Sequence, residues 1–104
     1  MEILTTETYE KWFRKLKDRQ ARARISLALR RCQLEDRLVG DVKSVGDQIY
    51  EMRFHFGPGY RLYYLLQERT VVVLLVGGDK ASQDADIAKA KALAADLRKE
   101  KQWP

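Results

Sequence analysis

Residues 71–76 read VVVLLV and are apolar at every position. A short run rich in β-branched residues predicts a strand, and the lack of alternation predicts that other elements cover both of its faces. A chain of 104 residues has room for one domain with a modest core. We therefore expect a single domain spanning residues 1–104, with this strand near its centre.

Three amphipathic helices are predicted around that strand. The first runs from near Thr6 to about Asp18, the second follows it directly, and the third begins at Ser82. Their apolar stripes are, in chain order, Tyr9, Trp12, Phe13 and Leu16; Ala21, Ile25, Ala28, Leu29 and Cys32; and Ile87, Ala90, Ala94 and Leu97. The single cysteine, Cys32, lies on one of these stripes, which favours a packing role.

The other strands are predicted at EILTT near the N-terminus, at Val42 to Val45, and on both sides of the loop GPG. The expected order is β-α-α-β-β-β-β-α, an α+β fold with a small, mainly antiparallel twisted sheet. If Phe56 lies opposite Tyr60, opposed positions in the hairpin sum to 116. The aromatic side then faces the core, because successive side chains alternate between the two faces of a strand.

The other side of this hairpin carries charged and polar residues that we expect to face solvent. It brings together Glu51, Arg53, His55, Arg61 and Tyr63. RNA is cleaved without metal when a base deprotonates the ribose 2′-OH and cations stabilise the phosphorane-like transition state. The two arginines match phosphate oxygens, Tyr63 suits stacking or phosphate orientation, and either Glu51 or His55 suits the role of base.

A simpler interpretation of the same pattern is an ordinary solvated sheet face with salt bridges and no function. After the apolar strand, the sequence GGDK offers two glycines that permit close backbone approach to a ligand, and Lys80 at reach of a phosphate. Neither a Walker motif nor a dinucleotide fingerprint is present. The scattered carboxylates and single histidine predict no metal site, and we expect no cofactor.

The segment from Lys11 to Arg31 is strongly basic, with nine Lys and Arg residues against Asp18 alone. Such a surface attracts polyanions, chiefly nucleic acid or an acidic protein, although a solvated helix face is an equally good interpretation. The candidate RNA- or ribosome-binding residues are Arg14, Lys15, Lys17, Arg19, Arg22, Arg24, Arg30, Arg31 and Lys43. Neither a membrane span nor a secretory signal is recognisable, so we expect a soluble, cytoplasmic protein.

Three stretches, YEMRFHFGPGYRLYY, VVVLLVGGDK and QDADIAKAKALAADL, resemble the RelE/ParE superfamily of bacterial toxins, specifically its HigB-like "addiction module killer protein" branch. The resemblance lies almost wholly in residues 49–97. It implies a sheet flanked by an N-terminal helix pair and a C-terminal helix, and a toxin that cleaves messenger RNA in the ribosomal A site. It also implies a cognate antitoxin, which we expect to be HigA-like with a helix-turn-helix.

By position, the resemblance implies that Arg53 and Arg61 match the basic residues on the family's strands. Glu51 matches the strand carboxylate, and Lys80 matches the lysine after the last strand. Several cleaving relatives have a catalytic His or Tyr beyond that strand, whereas here no such residue follows Lys80 before Trp103. This departure leaves the acid and base unassigned, with His55 as the residue that would compensate.

Two other functions remain open from the sequence. One is the ParE-like inhibition of DNA gyrase, which requires no catalysis. The other is a degenerate domain that only binds an antitoxin-like partner.

Overall fold

A computed structural model describes residues 1–100. Its elements, in chain order, are β1 (Glu2–Thr5), α1 (Glu7–Lys15), α2 (Arg19–Glu35), β2 (Asp41–Gly46), β3 (Ile49–Arg53), β4 (Arg61–Gln67), β5 (Val71–Gly78) and α3 (Gln83–Lys99). The strands form one five-stranded sheet in the order β1-β5-β4-β3-β2. Only the β1–β5 pair among them is parallel, so the predicted α+β order with a mainly antiparallel sheet is confirmed.

The boundary between the first two helices differs from the prediction. Thr6 caps α1 by accepting a hydrogen bond from the Tyr9 backbone N–H, as its sequence position favours. However, α1 ends at Lys15, three residues before the predicted end at Asp18. Asp18 instead caps α2, where its side chain accepts a hydrogen bond from the Ala21 N–H. A residue that caps the second helix cannot also continue the first, because the cap residue has non-helical backbone angles.

Helices cover both faces of the sheet. Helices α1 and α2 form a helical hairpin that packs on one face of the sheet, which we call the hairpin face. Helix α3 packs on the opposite face, which we call the α3 face. The buried residues of the hairpin face are Tyr9, Ala21, Ile25, Cys32, Val39, Met52, Tyr60, Leu62, Tyr64, Val72 and Leu74. Those of the α3 face are Ile49, Tyr63, Leu65, Val73, Leu75, Val76, Ala90 and Ala94. Strand β5 therefore has apolar cover on both sides, as its unbroken apolar run predicts.

The hairpin register is shifted by two residues from the predicted one. Tyr50 lies opposite Tyr64, so opposed positions sum to 114 rather than 116. The reason is a longer loop, in which the Gly59 N–H donates to the Phe56 carbonyl at 3.1 Å and Gly57 takes a φ of 55°. Since a shift of two residues preserves the alternation, the aromatic side still faces the hairpin-face core, as predicted.

Within residues 1–100, no helix is both long and apolar enough to cross a membrane.

Candidate functional site

The candidate residues of the sheet lie at one end of it, where β3 and β5 finish and β4 begins. Arg53 pairs with Arg61, and Arg61 pairs on its other side with Gly78 at the end of β5. Two pairs further into the sheet, and so on the same face, Glu51 lies opposite Tyr63. We call the set of Glu51, Arg53, Arg61 and Tyr63 the arginine cluster.

Glu51 is the centre of the arginine cluster and is fully buried. Its Oε2 accepts a hydrogen bond of 2.8 Å from the Gln83 side-chain amide, at the first residue of α3. The same oxygen lies 3.6 Å from Arg61 Nε, and Oε1 lies 3.9 Å from Arg53 Nε. Both guanidinium groups are therefore at ion-pair distance from one carboxylate, but beyond the length of a good hydrogen bond.

Several polar atoms of the arginine cluster are buried without a hydrogen-bond partner. They are Glu51 Oε1, Arg53 Nε, Arg61 Nε and the Tyr63 hydroxyl. Buried polar atoms are nearly always paired, and each unpaired one costs about 1–3 kcal/mol. A concentration of such atoms at one place is typical of a site that is kept for function and not for stability.

The prediction that this side of the hairpin is open to solvent is wrong for most of the arginine cluster. Glu51 and Tyr63 have no exposed surface, and the side chain of Arg61 is 10% exposed. Arg53 is the most accessible member, with a side chain that is 30% exposed. The cause is α3, whose small residues Ala90 and Ala94 let it pack closely on this face and bring its N-terminal turn over the cluster. Alternation along the strands predicts which side chains share a face, but not what covers that face.

Burial also affects the phenol of Tyr63. Burial, together with the nearby Glu51 carboxylate, raises the pKa of Tyr63 well above its ordinary value. Its hydroxyl is therefore protonated at neutral pH and is a potential hydrogen-bond donor to an anion.

Asp41 joins the arginine cluster to His55, and sequence reasoning missed it. One carboxylate oxygen of Asp41 accepts a 2.9 Å hydrogen bond from Arg53, and the other lies 2.6 Å from His55 Nε2. These contacts, with Arg53 first, lower the pKa of Asp41. The His55 side chain is 71% exposed, so its ring projects at the rim of the site. Asp41 is the first residue of β2, and no local sequence pattern marks it as part of the site.

The GPG loop links Lys80 to the arginine cluster. The Lys80 backbone N–H donates to the Pro58 carbonyl at 3.4 Å, and Arg61 Nη1 donates to the Gly59 carbonyl at 2.7 Å. Lys80 itself is exposed. All six predicted site residues on the sheet and its loops therefore lie in one neighbourhood, although only His55, Lys80 and part of Arg53 are open to solvent.

The two glycines before Lys80 serve packing within the protein. A Cβ atom built on Gly77 would overlap the Trp12 ring, and one built on Gly78 would overlap the Asp86 carboxylate. The expectation that these glycines leave room for a ligand is therefore wrong, because side chains of α1 and α3 already occupy that space.

The basic helices contribute little to the arginine cluster. Most of the predicted RNA- or ribosome-binding residues are exposed, and Arg22 is half-buried. Arg31 forms an ion pair of 2.9 Å with Glu35. Arg24 is the one that reaches the hairpin loop, where its guanidinium lies 4.4 Å from the centre of the Phe56 ring. The others, Arg14, Lys15, Lys17, Arg19, Arg30 and Lys43, are spread over the surface of α1, α2, the turn between them and β2.

Among the described residues, no group of three or more His, Cys, Asp or Glu side chains is arranged to hold a metal ion. Trp103, the first aromatic residue after Lys80 in the sequence, lies outside the described residues.

A model of the family described as "Phage derived protein Gp49-like (DUF891)" matches residues 11–99. The chain belongs to this family. A Haemophilus influenzae protein described as uncharacterized is 45% identical over 97 residues, which cover 93% of this chain and 96% of the relative.

Solved structures of E. coli RelE have the same fold. A double arginine-to-alanine mutant of the toxin in the free state superposes with a TM-score of 0.67 at 22% identity, covering 88% of this chain and 94% of the other. The intact RelBE toxin–antitoxin complex matches with a TM-score of 0.60 at 22% identity, covering 75% and 94%. The isolated toxin matches with a TM-score of 0.60 at 24% identity, covering 81% and 93%. The fold of a RelE-like toxin is therefore established for this chain.

Proposed function

We propose that this protein is the toxin of a type II toxin–antitoxin system, of the HigB-like branch, and acts as a metal-independent, ribosome-dependent mRNA endonuclease in the cytoplasm. The observation that carries the proposal is the arginine cluster, in which two guanidinium groups converge at the sheet end beside an exposed His55 and Lys80. Such a set supplies both the cations and the proton carrier that RNA cleavage needs.

The burial of each residue suggests a division of roles. His55 is exposed and held by Asp41, so it is the group that we assign to proton transfer with the ribose 2′-OH. Arg53 and Lys80 reach solvent on either side of Arg61, which suits them to contact phosphate oxygens as negative charge grows in the transition state. Glu51 is fully buried and is therefore a positioning residue that holds Arg53 and Arg61. The buried Tyr63 lies beside it and supports the same arrangement.

The basic surface and the partner complete the proposal. We assign the exposed basic residues of α1 and α2, with Lys43, to contacts with ribosomal RNA, because phosphate contacts position a protein without needing a fixed sequence. The partner is proposed to be an acidic, HigA-like antitoxin with a helix-turn-helix. The match to the RelBE complex supports an antitoxin partner in general. Association between such oppositely charged surfaces should slow as salt is raised.

A second candidate is the non-enzymatic inhibition of DNA gyrase. The observation that favours it is the complete burial of Glu51 and Tyr63, which leaves fewer polar groups of the cluster able to contact RNA directly, whereas inhibition of gyrase requires no catalytic groups. The two functions differ in what happens to messages, which stay intact when gyrase is the target.

The deciding experiment is a brief pulse of expression followed by mapping of RNA 5′ ends and measurement of growth. Wild type should cut messages and arrest growth, and His55→Gln and Arg53→Ala should each lose most of the cleavage. Arg61→Lys keeps the positive charge but removes the planar guanidinium, so it separates the effect of the charge on cleavage from that of bidentate hydrogen bonding. Arg98→Ala is the matched control, because Arg98 hydrogen-bonds the Asp47 carbonyl at the far end of the sheet.

Circular dichroism melting of each variant separates a loss of cleavage from a loss of folding. Growth arrest with intact messages and raised DNA-damage signalling would contradict the endonuclease function and support inhibition of gyrase instead. Full cleavage by both His55→Gln and Arg53→Ala would remove the proposed site.

A further inference from the structure

A groove lies between α1 and α3 at the end of β5, and none of the predicted site residues except Lys15 lines it. Strand β1 ends at Thr5, opposite Leu74, so the last residues of β5 have no strand beside them on that edge. The two helices form the walls of the resulting groove, which has a volume of about 580 Å³.

The lining of the groove is basic and contains one large aromatic ring. Lys11 and Lys15 on α1 and Lys89 on α3 line it, together with Trp12 and the backbone of Gly77. Lys11, Lys15 and Lys89 form no ion pair with any residue between 1 and 100.

Two carboxylates also line the groove, those of Glu7 and Asp86. The carboxylate of Asp86 accepts a 2.5 Å hydrogen bond from the Ser82 hydroxyl and packs against Gly78. The Asp86 carboxylate therefore already has a hydrogen-bond partner within the first turn of α3. The three lysines outnumber the two carboxylates, which leaves the groove with a surplus of positive charge.

The groove continues from the arginine cluster. Gly78 pairs with Arg61, and Asp86 both packs on Gly78 and lines the groove. Neighbouring strands are about 4.8 Å apart, so the groove begins roughly 5–10 Å from the strand that carries Arg61. This is a distance that one or two nucleotides of a single strand span.

We propose that this groove binds single-stranded RNA adjacent to the nucleotides held at the arginine cluster, with the lysines on phosphates and a base against Trp12. This inference rests on the proposed endonuclease function and extends it to the path of the strand. Basic grooves with aromatic side chains are the usual means of binding single strands without sequence preference. Single-stranded RNA supplies both phosphates for the lysines and bases for Trp12, whereas the charges of an acidic peptide would pair only with the lysines and an apolar ligand would contact only the ring.

Binding can be measured without cleavage or a ribosome, so the test does not depend on enzymatic activity. The probe is a single-stranded 2′-O-methyl oligonucleotide of about eight nucleotides, which lacks the hydroxyl needed for cleavage. The protein carries Trp103→Phe, which leaves Trp12 as the single tryptophan of the chain. Stacking of a base on Trp12 should quench its fluorescence.

Two charge-matched variants separate the groove from general attraction to a basic protein. Lys11→Gln with Lys89→Gln removes two charges from the groove, and Arg69→Gln with Lys99→Gln removes two exposed charges elsewhere. Each lost phosphate contact should flatten the plot of log affinity against log salt by about 0.7, so the groove variant should lose about 1.4 in slope. The second variant should keep the wild-type slope and quenching.

An equal loss of salt-dependence slope in both variants, or unchanged Trp12 fluorescence on binding, would contradict the proposal that the groove binds RNA. The same quenching by poly-glutamate would also overturn it, because the site would then be one for acidic protein. If RNA cleavage depends on His55 but the groove variant binds RNA as its control does, the groove proposal is refuted and the proposed endonuclease function is kept. If the groove binds RNA but the protein cleaves no message, the groove proposal is kept and the proposed endonuclease function is refuted.

Discussion

The hairpin face and the α3 face of the sheet are both covered by helices, but they differ in what lies beneath the cover. Under α1 and α2 the buried residues are apolar or aromatic throughout. Under α3 the apolar residues give way at one end to a buried carboxylate between two guanidinium groups. Among the described residues, the hairpin face thus buries no charged side chain, whereas the α3 face buries Glu51 and Arg61, at a cost in desolvation.

Adjacent leucines on β5 provide the largest test of this comparison. Leu74 lies on the hairpin face and Leu75 on the α3 face, and both are fully buried. Leu74→Ala and Leu75→Ala should each lower the free energy of unfolding by about 2–5 kcal/mol, because each leaves a cavity in an apolar part of the core. Urea denaturation measures both. A cost well below this for Leu75→Ala alone would show that α3 packs loosely.

The next test concerns the buried carboxylate. Glu51→Gln keeps the shape and the contact with Gln83 but removes the charge shared by Arg53 and Arg61, and should cost about 1–3 kcal/mol. The same variant should lower RNA cleavage, because the arginines lose the group that positions them. Denaturant melts and the RNA end-mapping assay check the two effects. Unchanged stability would indicate that the ion pairs are not formed in solution.

Two neighbouring tyrosines give a smaller and more selective comparison. Tyr63 and Tyr64 lie on opposite faces, both are fully buried, and neither hydroxyl has a hydrogen-bond partner. Removal of a buried, unpaired hydroxyl is nearly neutral or slightly stabilising, so Tyr63→Phe and Tyr64→Phe should each change stability by less than about 1 kcal/mol. Only Tyr63→Phe should reduce RNA cleavage. Equal activity of both variants would remove the Tyr63 hydroxyl from the site.

The smallest effect expected is on acid stability. The pKa of Asp41 is lowered by its hydrogen bonds with Arg53 and His55. These bonds stabilise the folded protein above the ordinary carboxyl pKa, and the stabilisation is lost as the pH falls through the lowered value. Asp41→Asn should therefore show a shallower loss of melting temperature between about pH 5 and pH 2 than wild type. Parallel curves for the two proteins would contradict the Asp41 contacts.

Sequence patterns predicted the elements of this fold well because each leaves a local mark. Helical spacing marked α1, α2 and α3, and the unbroken apolar run marked β5 as a strand with two covered faces. Alternation also predicted correctly that Glu51, Arg53, Arg61 and Tyr63 share one side of the sheet. Strand pairing was wrong by two residues because the length of the loop around GPG depends on turn geometry, which the residue types alone do not fix.

The surroundings of the candidate site were harder to predict. The cover of α3 over Glu51 arises from contacts across 32 residues of chain, between Gln83 and Glu51. Asp41, likewise, is 14 residues from His55 along the sequence and meets it only through the pairing of β2 with β3. Such contacts depend on tertiary packing, so no local pattern records them.

The parallel pairing of β1 with β5 has a consequence for how the protein is made. Residues 2–5 find their partners only at residues 71–74, and Thr6 bonds the Leu75 carbonyl across 69 positions of sequence. Contacts this distant form slowly, and during translation they must wait until the later segment has emerged. The sheet of the nascent polypeptide therefore stays incomplete until residues 71–74 have left the ribosome, long after residues 2–5 have been made.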